Sequence, residues 1–219
     1  MTYRILCYGD SNTYGYIPAG IGRRYDEQTR WTALLQKKLG SDCTIIEEGC
    51  SGRTTDIDDP DAAWKNGMKG LHISLHSHRP LNMIILMLGT NDLKTTFRRD
   101  AKTIAASAAS LGRESCRYLK EKQGYEPVIL FLCPPALDPS VTKGPFGTDF
   151  TDVSVEVSED LGRYYRKQAS ENGWVFMNTA EFLKSSGSDG LHWNSQEHRM
   201  LAEKLAELIP EIRIQTVQK

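Results

Sequence analysis

The chain has 219 residues, 39% of them hydrophobic and 25% charged, with a net charge of −1. That size and composition suit a single globular domain, 1–219, with a sizeable core, and the near-neutral charge argues against a nucleic-acid partner or an anionic membrane surface. No apolar run approaches the roughly 20 residues that span a bilayer. The opening "MTYRILCYG" passes straight into a strand without the layout of a signal peptide, so a cytoplasmic location is expected.

"YRILCYG" (3–9) reads as a buried strand, and the chain leaves it through Gly9, Asp10, Ser11 and Asn12, all small or polar. "TRWTALLQKKLG" has helical period, with Trp31, Leu34, Leu35 and Leu39 on one face and Gly40 as its stop. "TIIEEG" (44–49) is the second strand, followed by the turn "GCSGRTT" (49–55) and by "DIDDPD". The latter lacks the glycine of a calcium loop and reads as a solvated turn. Arg53 is expected to pair structurally with its carboxylates, or else with a substrate. "HISLHSH" reads as a surface helix running into Arg79-Pro80. His72 and His76 stand i,i+4 there, but no carboxylate or cysteine in the motif completes a zinc site, and no metal is expected.

"NMIILMLG" (82–89) is the third strand and leads into "GTND" (89–92); a long helix covers 100–123, and "VILFLC" (128–133) is the fourth strand. Residues 138–156 have no clear period, and are either a functional loop or a surface excursion. A helix over 158–173 leads to the strand "WVFMNT" (174–179). "DGLHW" (189–193) then precedes a helix with Asn194 as N-cap, Glu197 three residues on, and Pro210 as its stop. The five cysteines are odd in number and show no CxxC spacing, so they are expected reduced and mostly buried, without a disulfide framework.

Alternating strands and helices predict an α/β fold, a parallel sheet covered on both faces. In such a sheet ligands gather outside the carboxyl ends of the strands. The four polar turns after the strands therefore belong at one edge. Ser11 is a candidate nucleophile, and it needs a base and an acid to orient that base. Asp189 and His192, three apart in a turn, can supply them; an N-cap region with an exposed histidine would explain the same residues. The backbone N–H of Ser11, that of Gly52 and the side-chain amide of Asn91 can face a developing oxyanion. A turn glycine and an Asx turn are the plain alternatives for the last two.

"GDSN" (9–12), "EEGCSGRTT" (47–55), "GTND" (89–92) and "DGLHW" (189–193) together resemble blocks I, II, III and V of the SGNH/GDSL hydrolases. "RILCYGDSNTYGY" and "IILMLGTNDLKTTFRRD" are similar, more narrowly, to the bacterial arylesterase and acyltransferase branch. The resemblance implies a three-layer α/β/α sandwich, a flavodoxin-like, mostly parallel sheet of about five strands. It also implies serine esterase chemistry with no metal or cofactor. By motif position Ser11 is the nucleophile, His192 the base, Asp189 its orienter, and Ser11, Gly52 and Asn91 form the oxyanion hole. Asn12 departs from the motif, which has leucine there; the change is expected at the pocket rim and not in the triad. Asp10 is expected to fix the turn through local hydrogen bonds.

The expected substrate is a small-molecule ester: a short-chain aryl, alkyl or acetyl ester, with the acyl group passed to water or to an alcohol. A carbohydrate O-acetyl esterase, a thioesterase or a lysophospholipase would use the same residues, and a non-catalytic binding module is the alternative of another class. Tyr14, Tyr16 and Leu191 are expected to line the pocket, with Trp193 beside the base. The arylesterase branch further implies a homo-oligomer whose neighbours narrow the site through 138–156.

Overall fold

The computed structural model describes residues 2–20, 22–60 and 62–217. Five parallel strands, β1 (Tyr3–Gly9), β2 (Cys43–Gly49), β3 (Met83–Met87), β4 (Val128–Cys133) and β5 (Val175–Asn178), form one sheet in the order β2-β1-β3-β4-β5. The central strands β3 and β4 are apolar along their length because both faces are covered. Ile5, Cys7, Met83, Ile85, Leu130 and Leu132 point to one side, against Trp31 and Leu35 of α2 (Trp31–Leu39) and Leu201, Leu205 and Ile209 of α6 (Ser195–Val217). Leu6, Tyr8, Ile84, Leu86, Ile129 and Phe131 point to the other. There they meet α3 (Gly67–His78), α4 (Ala101–Gln123) and α5 (Asp152–Asn172) through Leu71, Leu75, Ile104, Leu111, Leu161 and Tyr165. A short helix, α1 (Ser11–Tyr14), follows β1 directly.

Three expectations change. The last helix does not stop at Pro210 but continues to Val217. Proline removes one ladder hydrogen bond, yet Ile209 and Ile212 are both buried and hold the helix to the sheet on either side of it. Helix α5 starts at Asp152, not at 158, because Thr151 and Ser154 form a reciprocal capping box ahead of the apolar period. "DIDDPD" is not a freely solvated turn: Asp59 is 4% exposed, with Lys94 Nζ at 3.1 Å, and Asp56 meets Arg99 at 2.7 Å.

The five cysteines are free, and Cys7, Cys43 and Cys133 are buried. His72 and His76 lie on α3, the first 3.0 Å from Glu114 and the second 2.6 Å from the Tyr118 hydroxyl. Among the described residues no group of three or more His, Cys, Asp or Glu is placed to hold a metal ion. No helix among them is long and apolar enough to cross a membrane.

Candidate active site

In a 2-1-3-4-5 sheet, connections leave β1 and β3 in opposite directions, which opens a crevice beyond their carboxyl ends. Ser11 follows β1 and Asn91 lies four residues beyond β3. The turn after β2 brings Gly52 alongside, and all three line one cavity of about 250 Å³ with Leu191 and His192.

Local chemistry shapes each turn. The Asp10 carboxylate accepts the Asn12 N–H at 3.0 Å and caps α1, as expected of it. Gly9 and Gly49 are small for a reason internal to the fold. A Cβ on Gly9 would stand 2.1 Å from Thr13 Oγ1, and one on Gly49 2.2 Å from the Tyr14 nitrogen, so α1 itself needs that space. In the turn after β2, Arg53 N–H bonds the Cys50 carbonyl at 3.0 Å. Gly52 occupies the third turn position with φ +80°, where a type II turn requires a residue that tolerates positive φ. The contacts of Arg53 run to the backbone of β1 and β2 and to an aromatic ring. Its guanidinium donates to the carbonyls of Gly9 and Glu48 and lies 4.1 Å over the Tyr8 ring, tying β1 to the turn.

Asn91 donates its Nδ2 to the Arg53 carbonyl at 3.1 Å. One of its two amide protons is thereby fixed, and the side chain is oriented at the cavity edge. Its neighbour Asp92 is fully buried. It accepts from Thr55 N–H at 2.9 Å, from the Thr55 hydroxyl and from Arg99 at 3.1 Å, so the turns carrying Gly52 and Asn91 are bolted together beneath the cavity.

Asp189 and His192 sit in the loop before α6. The Asp189 carboxylate accepts from the backbone N–H groups of Leu191 (3.0 Å), His192 (2.9 Å) and Ala19 (2.9 Å), and lies 2.9 Å from His192 Nδ1. Burial opposes its ionisation, but the hydrogen bonds from the His192 side chain and backbone hold it down at about 2. An ionised Asp189 accepts a hydrogen bond from Nδ1–H, and with that proton kept on Nδ1 the neutral ring presents Nε2 as an acceptor. The Ser11 hydroxyl stands 3.0 Å from Nε2 and donates to it. Ser11, Asp189 and His192 are all at most 5% exposed.

The imidazole is held on two sides. Tyr16 stacks on it with centroids 4.1 Å apart, and the Phe146 edge meets it at 5.3 Å. Tyr16 and Leu191 line the cavity. Tyr14 does not: its ring lies under the Arg24 guanidinium at 4.5 Å, and Arg24 is in turn bound by Glu47. Trp193 is also absent from the cavity. The chain turns between Leu191 and Trp193, and the indole packs fully buried against α2 and α6, on the other face of the sheet from Leu191.

The remaining walls escaped the sequence reading. Phe146, Asp149 and Phe150 come from the aperiodic stretch 138–156, which is therefore part of the site. Lys65 and Lys94 also line it, both near the buried Asp59. The length of 138–156 without a period already points to the segment, and the aromatic pair in "GPFGTDF" is the further signal for the side chains within it.

Asp10 carries a testable consequence. Burial pushes its carboxyl up to about 6, against the hydrogen bond from Asn12 and the pull of His192. A folded value above the unfolded one means that the unfolded chain ionises first. Stability then falls as pH rises from about 4 to about 6 and stays lowered above that. Asp10→Asn keeps an oxygen for the Asn12 N–H and removes the charge. Urea unfolding should show the variant level with the wild type near pH 4 and more stable at pH 8, by about 2–3 kcal/mol. The same offset at both pH values would contradict this.

The profile of the GDSL-like lipase/acylhydrolase family matches residues 7–200. Among solved structures, the chain is similar to the M. smegmatis aryl esterase, with a TM-score of 0.89 and 35% identity over 96% of this chain and 99% of that one. A carbohydrate acetylesterase from Sinorhizobium meliloti is similar with a TM-score of 0.89 and 33% identity, over 96% of this chain and 100% of the other. A putative arylesterase from Agrobacterium tumefaciens gives 0.87 and 30% over 96% and 100%. Comparison with curated protein sequences finds no match. The chain belongs to the GDSL-like lipase/acylhydrolase family of SGNH hydrolases, and is a carboxylic ester hydrolase.

Proposed function

We propose that the protein hydrolyses short-chain carboxylic esters through an acyl-enzyme on Ser11. One observation carries this reading: the line Asp189–His192–Ser11, with contacts of 2.9 and 3.0 Å, ends at a cavity that Gly52 and Asn91 border. Ser11 Oγ attacks the ester carbonyl as His192 Nε2 takes its proton. Asp189 stabilises the imidazolium and keeps the ring oriented. The oxyanion is received by the N–H groups of Ser11 and Gly52 and by the free amide proton of Asn91. Collapse expels the alcohol, which leaves with the proton from His192. Water, or a second alcohol, then enters by the same steps in reverse roles and releases the acyl group.

Acyl length follows from the walls. A cavity of about 250 Å³ lined by Tyr16, Phe146, Phe150 and Leu191 is smaller than ordinary drug-sized pockets, roughly 300–1,000 Å³. Each methylene that fits adds up to about 0.8 kcal/mol of burial; one that does not displaces the carbonyl from the oxyanion donors. A p-nitrophenyl ester series should show kcat/KM peaking between acetyl and butyryl and falling by octanoyl. A profile still rising at decanoyl rejects this reading in favour of a thioesterase or lysophospholipase.

A second reading has its own support. A carbohydrate acetylesterase is as similar in structure as the aryl esterase, and the cavity carries Lys65, Lys94 and Asp149 besides its aromatic walls. Acetylated sugars assayed beside the aryl esters separate the two by kcat/KM.

A further inference from the structure

Asn12 follows Ser11, and it is 3% exposed. Its Nδ2 donates to the Leu191 carbonyl at 3.3 Å, and its Oδ1 accepts the Trp193 N–H at 3.2 Å. Those two backbone groups flank His192. The carboxamide thus pairs with the chain on both sides of the base, as a neighbouring strand would pair with it. The His192 backbone has two other restraints, its N–H on Asp189 Oδ1 at 2.9 Å and its carbonyl on Ser186 N–H at 2.8 Å, and both come from its own loop. Asn12 is different, because it joins that loop to the turn bearing the nucleophile.

We propose that Asn12 is a positioning residue that sets the distance between His192 Nε2 and Ser11 Oγ by fastening the two turns together. The inference rests on the proposed roles of Ser11 and His192. Only a side chain with a donor and an acceptor on one short stem satisfies both flanking groups at this range. The leucine of the family motif offers neither, and the substitution in "GDSN" therefore bears on the base and not on the pocket rim. An aspartate of the same shape keeps the acceptor for Trp193 N–H but sets an oxygen against the Leu191 carbonyl. It also adds negative charge beside the imidazole, which favours the imidazolium.

The test compares Asn12→Asp and Asn12→Leu with the wild type, with Ser11→Ala run in parallel. A short-chain aryl ester is used, with melting curves, kcat and KM, and the pH profile of kcat/KM. Misplacing the base should lower kcat about 10- to 100-fold in both variants with KM changed less than about twofold. In Asn12→Asp the acidic limb of the profile should also move to higher pH. Wild-type kcat and profile in either folded variant overturn the proposal. So does a loss of activity that follows only the folded fraction, with the pH profile unmoved. A Ser11→Ala enzyme that still turns over would instead overturn the underlying reading of the site.

Discussion

Ser11→Ala is expected to lower kcat for a short-chain aryl ester by about 10⁴- to 10⁶-fold, the scale on which removal of a serine nucleophile acts. The fold should survive. Ser11 opens a four-residue helix and its hydroxyl hydrogen-bonds His192, and a serine-to-alanine truncation removes one oxygen at the edge of a cavity, so little packing is undone. His192→Ala should fall to a similar level, because the hydroxyl 3.0 Å from Nε2 loses its acceptor. The double variant should be scarcely worse than either single one, since residues acting as a unit are not additive. Two independent losses that multiply would show that Ser11 and His192 do not share a step.

Asn91→Ala is the second large effect, at roughly 100- to 1,000-fold in kcat with little change in KM. The ground-state carbonyl gains little from this amide; the tetrahedral oxyanion should gain much more, because a donor already oriented toward it meets its charge as that charge develops. The Arg53 carbonyl already holds one proton of the Asn91 amide, so the donor is oriented before substrate arrives. A change in KM alone would move Asn91 from the oxyanion to substrate binding. Melting curves are needed beside the kinetics, because Asn91 also ties two turns together.

The parts of the site legible in the sequence are those whose position the fold imposes. Ser11, Gly52 and Asn91 each follow a parallel strand closely, so the sheet order brings them to one crevice whatever the side-chain detail. Asp189 and His192 are three apart, and their pairing is local. Side-chain direction was less accessible. Tyr14 lies three residues from Ser11 but faces Arg24, because α1 turns its ring away from the cavity. Trp193 lies next to His192 but belongs to the other layer. Phe146 and Phe150 reach the site from more than 130 residues along the chain, on a segment with no period. Pro210 misled for the opposite reason: its local signal is strong, and the packing of Ile209 and Ile212 overrides it.

The covalent intermediate on Ser11 is the centre of this account, and trapping it is the most direct test. The protein is incubated with a fluorophosphonate, whose tetrahedral adduct resembles the intermediate of acyl transfer, and the modified peptide is located by mass spectrometry. One adduct per chain is expected, on Ser11, formed far more slowly in His192→Ala and absent in Ser11→Ala. Labelling at another residue, or undiminished labelling and turnover in folded Ser11→Ala, would contradict it.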